Sequence, residues 1–140
     1  MECSRRDLSF LIGALAAVKA EGQGRALASQ THRYESLPVK VNGLNKGRAI
    51  LEGDTHTGQA VELHETELAP GQAPHPPHHH EHEEMLLVRE GAMEVTIAGR
   101  TAKLDPGSVA YVASNEEHGW RNVGTTRARY WVLALGRDSK

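Results

Sequence analysis

The alternation of apolar and polar residues predicts a succession of short β-strands over most of the chain. Turn-forming residues recur at intervals of about eight to twelve positions, and no segment after Val18 repeats its apolar residues with a helical period. The predicted strands cover residues 39–41, 47–52, 59–68, 85–88, 92–98, 101–104, 108–112 and 127–135, with a further one at His118. This arrangement is typical of an all-β sandwich or barrel, and 140 residues correspond to one such domain.

The first 28 residues follow a different pattern, which predicts a signal peptide. Arg5 and Arg6 precede the apolar segment 8–18, which is too short to span a bilayer comfortably as a mature helix. A polar stretch then ends in a small-x-small pattern at Ala28, as at a signal-peptidase site. Paired arginines before a modest apolar segment resemble a twin-arginine signal, so residues 29–140 form the predicted mature domain.

The predicted location is therefore the bacterial periplasm or the outside of the cell, with no membrane attachment after cleavage. An ordinary secretory signal is one alternative. A cytoplasmic protein with an amphipathic first helix is the other.

Composition excludes several classes of function. The net charge of −2 gives no basic surface of the kind that binds nucleic acid. Cys3 is the only cysteine and lies in the predicted signal, so the mature domain would have no thiolate for metal binding or catalysis. The chain also lacks a phosphate-binding glycine loop.

The densest chemistry lies in a histidine-rich stretch between Gly71 and Gly91, which holds five of the nine histidines. His78 and His80 are two residues apart, so on a β-strand their imidazoles would point to the same face. Glu84 can join them only if the chain turns after His80 and returns on the next strand, and the intervening residues are polar enough for a turn. These three side chains would supply most of a divalent metal site.

A second stretch supplies a candidate for the fourth ligand. His118, Trp120 and Asn122 alternate, so they share one face of a predicted strand. That face directs an imidazole inward beside an indole and an amide.

Together the two stretches resemble the paired sequence motifs of the cupin superfamily, whose members are small β-barrel proteins. The first motif is a glycine, a His-x-His pair, a glutamate and a glycine, and the second is a glycine, a Pro-x-Gly turn, a histidine and an asparagine. The matching residues are Gly71, His78, His80, Glu84 and Gly91 in the first motif and Gly107, His118 and Asn122 in the second. The resemblance covers about residues 63–135.

The chain departs from these motifs at three points. Six rather than five residues separate Gly71 from His78, Ala113 replaces the usual proline, and Asn115 replaces the usual glycine. Asparagine tolerates the left-handed conformation that a tight turn requires, so we expect the turn to form.

The resemblance implies a single type-2 cupin barrel, a jelly roll also described as a double-stranded β-helix. It implies that His78, His80, Glu84 and His118 bind the metal ion, and that the protein forms a homodimer. The polar arm 30–38 is predicted to be a linker or a strand exchanged within that dimer. The alternative for the histidine tract is a low-complexity metal scavenger or a solvated loop without a defined site.

The predicted donors suit a divalent transition metal: Fe, Mn, Ni, Cu, Co or Zn. Four protein ligands would leave two positions of an octahedral ion open for water, dioxygen or substrate. The residues predicted to line the pocket are Leu86, Val88, Trp120, Tyr111 or its neighbours, and His64 from strand 59–68. His75, His79 and His82 are expected in solvent or at the barrel mouth, and the only candidate general bases are His64, His75 and His82.

Two functions remain open at this point. One is a metal-dependent enzyme, dioxygenase-like or a related lyase or isomerase, acting on a small organic molecule. The other is a non-catalytic protein that binds a small ligand or a metal on the same barrel. Fold alone does not separate them.

Overall fold

The computed structural model describes residues 26–139, which form two antiparallel β-sheets. The elements are a 3-10 helix (Tyr34–Ser36) and strands β1 (Lys40–Asn42), β2 (Asn45–Asp54), β3 (Ala60–Leu68), β4 (Glu83–Glu90), β5 (Met93–Ile97), β6 (Arg100–Leu104), β7 (Val109–Val112), β8 (His118–Asn122) and β9 (Ala128–Leu135). Within the described range, no helix has the length and apolar character needed to cross a membrane.

The strand order produces a jelly roll. Six strands form one sheet in the order β1-β2-β3-β9-β4-β7, and three form the other in the order β6-β5-β8. The last strand, β9, lies between β3 and β4, while β5 and β6 cross to the second sheet before β7 returns to the first. This crossing closes the two sheets around one interior, as in double-sheet jelly rolls.

The segment 71–78 extends the smaller sheet beside β8 without forming a regular strand. Asn122 and Gly71 are linked by a backbone hydrogen bond from Gly71 N to Asn122 O at 2.9 Å. At the other end His78 and His118 form an isolated antiparallel bridge. The prediction that His78 and His80 lie on a strand is therefore wrong. Backbone pairing with β8 fixes this segment instead.

The core consists of the inward-facing residues of both sheets. On β9 the alternation is clear, since Tyr130 and Val132 are buried and Trp131 between them is 39% exposed. The buried apolar cluster contains Leu68, Leu86, Val88, Met93, Val95, Val112, Trp120, Ala128, Tyr130 and Val132. Trp120 Nε1 donates a hydrogen bond to the Tyr130 hydroxyl at 2.9 Å, so both polar groups are satisfied in the interior.

The outer face of β3 is buried as well, although it carries carboxylates. Glu65 and Glu67 are 0% and 2% exposed. Glu65 accepts a hydrogen bond from the Tyr34 hydroxyl at 3.0 Å, and the Tyr34 ring lies 4.8 Å from the guanidinium groups of both Arg48 and Arg89. The arm 30–38, predicted as a linker or exchanged strand, thus packs through Tyr34 on its own sheet.

Apart from the segment 78–80, the strands that were predicted with both ends agree with the structure to within two residues at each end. Asn115 has a φ of 61°, so the left-handed turn expected in place of glycine is confirmed. The predicted signal peptide lies outside the described residues except for 26–28, where Leu27 N donates to Asp54 O at 2.7 Å. The cleavage site remains a prediction.

We expect Gly91→Ala to destabilise the fold by more than ~2 kcal/mol, since a strained left-handed residue alone costs about 1–3 kcal/mol. Gly91 has a φ of 81°, and an added Cβ would lie 2.7 Å from the Cα of Ala128. Urea denaturation of the metal-free protein measures the effect. Gly99→Ala is the matched control, because Gly99 has a φ of 76° with open space around it. Equal losses in the two variants would contradict the proposed clash.

Candidate metal centre

Three histidine side chains converge at one end of the barrel. The ligand nitrogens of His78, His80 and His118 all lie within 4.8 Å of one another. Their ring centroids are 5.1 Å apart for His78 and His80, 4.8 Å for His78 and His118, and 4.7 Å for His80 and His118. One small ion can therefore be reached by all three imidazoles.

Backbone hydrogen bonds bring these histidines together from separate parts of the chain. His118 begins β8, and it exchanges two backbone hydrogen bonds with His78, at 3.0 and 2.8 Å. The His80 carbonyl accepts a hydrogen bond from Asn115 N at 2.8 Å. The left-handed turn at Asn115 thus holds the histidine segment directly, as well as leading the chain into β8.

The orientation of each ring is set by a backbone carbonyl. The Nδ1 atoms of His78, His80 and His118 lie 3.3, 2.8 and 2.8 Å from the carbonyl oxygens of Pro76, His82 and Glu116. A carbonyl oxygen only accepts hydrogen bonds, so each Nδ1 carries the hydrogen and each Nε2 keeps its lone pair. This is the tautomer in which Nε2 can bind a metal ion.

Glu84, the second residue of β4, lies beside two of these three histidines. Its Oε2 lies 3.5 Å from His80 Nε2 and 3.3 Å from His118 Nε2. All three of these atoms are buried, and none has a hydrogen-bond partner among the described residues. A buried polar atom without a partner costs about 1–3 kcal/mol, and a cation among the lone pairs would remove that cost. The donor set of three nitrogens and one oxygen suits a divalent transition metal.

A second layer of contacts surrounds these residues. The His82 ring stacks on His80 with centroids 3.5 Å apart and planes 5° apart. His82 Nε2 lies 3.4 Å from Glu84 Oε1, and His82 Nδ1 lies 3.0 Å from Asp138 Oδ1. Hydrogen bonds from the backbone and the ring of His82 lower the pKa of Asp138 to about 2, so its carboxylate is ionised. Nothing in the local sequence around Asp138 relates it to a histidine 56 residues earlier, so the sequence motifs do not predict this contact.

A family comparison matches this region of the chain. A model described as a cupin domain matches residues 64–134, more than half of the chain and all four candidate ligands. The chain belongs to the cupin family. The predicted single cupin barrel is thereby confirmed, whereas the metal ligands remain a prediction that the geometry favours.

A search of curated proteins gave no significant match.

Solved structures show the same fold. An RmlC-like cupin from Shewanella frigidimarina NCIMB 400 is 19% identical, with a TM-score of 0.65, over 82% of this cupin and 95% of that chain. KdgF from Halomonas sp. is 18% identical, with a TM-score of 0.68, over 80% and 97%. The polyketide cyclase RemF from Streptomyces resistomycificus is 23% identical, with a TM-score of 0.65, over 81% and 83%.

The remaining histidines of the tract lie around the metal centre of this cupin. His79 is exposed and turns away from the other rings, as strand-like alternation suggested. The His75 ring lies 4.1 Å from His78 and 6.1 Å from Trp120, at the rim of the site. Trp120 also stacks on His118 with centroids 5.5 Å apart, so an indole separates the candidate ligands from the core.

His64 lies on the inward face of β3 but outside the group of candidate ligands. It pairs with Val132, and its Nδ1 lies 2.7 Å from Glu62 Oε1. Glu62 pairs with Ala134, which pairs in turn with Glu84 on β4. Because neighbouring strands are ~4.8 Å apart, the Cα atoms of Glu62 and Glu84 are separated by about 10 Å. The Glu62–His64 pair thus occupies the wall beside the metal centre.

The other predicted pocket residues divide into two groups. Leu86 and Val88 face inward, but they are part of the packed core beneath the site. Tyr111 does not line the interior, because it points outward and is 48% exposed, so this prediction is wrong. Its neighbours Ala110 and Val112 have the inward orientation on β7.

We expect His78→Ala, Glu84→Ala and His118→Ala each to weaken metal binding by more than ~100-fold. Removing a group that only orients a metal ligand already lowers metal affinity about 10–100-fold. Metal analysis of native-source protein and competition titration against a chelator measure the effect. His79→Ala is the control, because it removes an exposed imidazole from the same tract. Unchanged metal content in the three ligand variants would show that the ligands are assigned wrongly.

Proposed function

We propose that this cupin is an exported, metal-dependent enzyme that carries out a dioxygenase-type oxidation, or a related lyase or isomerase reaction, on a small organic substrate. One observation carries the proposal: His80 Nε2, His118 Nε2 and Glu84 Oε2 face one another in the interior without hydrogen-bond partners among the described residues. A set of unpaired donors in a buried position is the arrangement expected of a metal centre. A bound ion of this class supplies Lewis acidity and, if it is redox-active, electron exchange.

The chain itself limits the access of water to the site. Trp120 is 6% exposed and lies between His118 and Tyr130. Burial raises the pKa of Tyr130 well above its usual range, so the hydroxyl stays protonated. These rings form a dry floor for the metal centre. Electrostatic interactions with a substrate would be stronger there than in water.

The Glu62–His64 pair is the best-placed group for proton transfer. The Glu62 carboxylate accepts a hydrogen bond from His64 Nδ1, so His64 Nε2 is the atom that can take or give a proton. The His64 side chain is 31% exposed, so it is accessible to solvent. It touches none of the candidate ligands, so its loss should leave metal binding intact.

The named structural relatives do not decide the reaction. They include a polyketide cyclase and an RmlC-like cupin, and all three are less than 25% identical to this chain. Such similarity shows the fold alone, and one fold supports many activities. The proposed oxidation is therefore argued from the donor set and from the dry interior.

We expect oxygen consumption when protein loaded with iron or copper is given aromatic diols or flavonols, and none when it is loaded with zinc, which has no redox chemistry. An oxygen electrode measures this.

His118→Ala should abolish the activity through loss of metal. His64→Ala should lower kcat at least about tenfold with metal content unchanged, as for removal of a general acid or base. Stoichiometric metal without turnover of any substrate would favour the alternative, a non-catalytic binding protein.

A homodimer is the assembly that we propose for this cupin. Leu87 pairs with both Val109 and Trp131, so three apolar side chains lie side by side on the outer face of β7, β4 and β9. Their exposed fractions are 36%, 56% and 39% for Leu87, Val109 and Trp131. A contiguous exposed apolar surface of this kind is typical of a protein interface.

We expect a molar mass of two chains in light scattering at micromolar concentration, and a single-chain mass for Leu87→Glu and Val109→Glu, because a charge in an apolar interface is costly. Val41→Glu is the control, since Val41 is 65% exposed on β1 at the far edge of the same sheet. Elution of the unaltered protein as a monomer would exclude the proposed dimer.

A further inference from the structure

We infer that Asp138 is a positioning residue for the metal centre, and that the C-terminal tail, residues 136–139, sets the geometry of the ligand loop. The ligand loop is defined as residues 80–84. This inference rests on the proposed function in so far as His80 and Glu84 are metal ligands. It concerns residues outside the two motifs, contributed by the end of the chain.

The ligand loop carries two candidate ligands but has little regular structure of its own. His80 precedes two bend residues, and β4 begins only at Glu83. Asn115 N holds the carbonyl of His80 at one end. Between that contact and β4, the backbone N–H groups at 81 and 82 depend on a partner from elsewhere in the chain.

Asp138 is that partner. Its Oδ1 accepts hydrogen bonds from the backbone nitrogens of Glu81 and His82, at 2.9 and 3.0 Å. The same oxygen lies 3.0 Å from His82 Nδ1. Three donors from adjacent residues thus converge on one carboxylate oxygen, which fixes both the loop backbone and the His82 ring.

The fixed His82 ring touches both ligands of the loop. Its plane lies against the His80 ring, and its Nε2 faces Glu84 Oε1, the oxygen that does not point to the other histidines. The His82 carbonyl also accepts the hydrogen bond from His80 Nδ1 at 2.8 Å. Movement of His82 would therefore change the orientation of His80 and of the Glu84 carboxylate together.

The tail is itself anchored to the barrel. Gly136 N donates to Ala60 O at 2.9 Å, and Arg137 forms an ion pair with Asp54 on β2 at 2.5 Å. Beyond Asp138, the backbone N and the hydroxyl of Ser139 donate to Glu81 Oε2. Contacts on both sides of Asp138 hold it in place, so the carboxylate is a fixed acceptor although its side chain is 51% exposed.

Cobalt(II) titration of the full chain tests the inference. We expect Asp138→Ala to weaken Co²⁺ affinity about 10–100-fold, the usual effect of removing a group that orients a metal ligand. We also expect a changed visible absorption spectrum of the bound cobalt, with one ion still bound per chain. Asp138→Asn should restore most of the affinity and the spectrum, because its amide oxygen can still accept from the two backbone nitrogens.

Asp105→Ala is the matched control, since it removes an exposed carboxylate that lies directly after β6, outside both the tail and the ligand loop. It should keep the affinity and the spectrum of the unaltered protein. Thermal melting of each metal-free variant verifies that folding is retained. If Asp138→Ala matches the unaltered protein in both affinity and spectrum, or if Asp105→Ala weakens binding equally, the positioning role of Asp138 is wrong.

The ligand variants separate this failure from failure of the proposed function. If His118→Ala loses cobalt while Asp138→Ala does not, the metal centre stands and only the role of Asp138 is rejected. If His118→Ala and Glu84→Ala bind cobalt normally, the ligand set is wrong, and both the proposed function and the positioning role are rejected.

Discussion

The hydrogen bonds from three imidazole Nδ1 atoms to backbone carbonyls are the interaction on which the site depends. They turn the Nε2 atoms of His78, His80 and His118 toward one point before any ion arrives. The folded chain therefore holds lone pairs and a carboxylate oxygen close together in a buried place, which is unfavourable until a cation binds. Binding of an ion that recognises only the folded site would therefore stabilise the folded state.

The same motifs also contain residues that stabilise the fold through hydrogen bonds to the backbone. Asn122 Nδ2 donates to the carbonyls of Leu68 and Thr126, and its Oδ1 accepts from Gly124 N. A single buried amide thus ties the end of β8 to the end of β3 and closes the turn toward β9. His118 begins the strand that Asn122 ends, so one side chain is a candidate metal ligand and the other ties the strand to its neighbours. A sequence motif does not distinguish these two roles, whereas the hydrogen bonds do.

How far the sequence predicts the structure depends on the range of the interaction. Strand positions follow from local alternation and turn residues, and the left-handed turn at Asn115 follows from the chemistry of one side chain. Local alternation does not show which face of a strand is covered, so it does not predict the burial of Glu65 against Tyr34 or of Glu67 against Arg127 and Arg129. Asp138 was missed for a similar reason, because its contact with His82 joins residues that are far apart in the chain.

The incorrect placement of Tyr111 shows how local reasoning fails within a correctly predicted strand. The predicted strand 108–112 is present as β7, yet its pattern assigns the interior to Tyr111 or its neighbours without deciding between them. Register decides, because Glu84 pairs with Val112 and Met85 pairs with Tyr111. Since Glu84 points inward, Val112 must do so as well, and Tyr111 must point outward.

Glu62, Ala134 and Glu84 form one row across three neighbouring strands. These residues lie at one level on β3, β9 and β4, and all three have the inward orientation. Ala134 is 6% exposed and has the smallest side chain that still covers the sheet at this position. The row therefore places only a methyl group between Glu62, which pairs with His64, and Glu84, a candidate metal ligand. A leucine at position 134 would put a larger side chain between these two carboxylates.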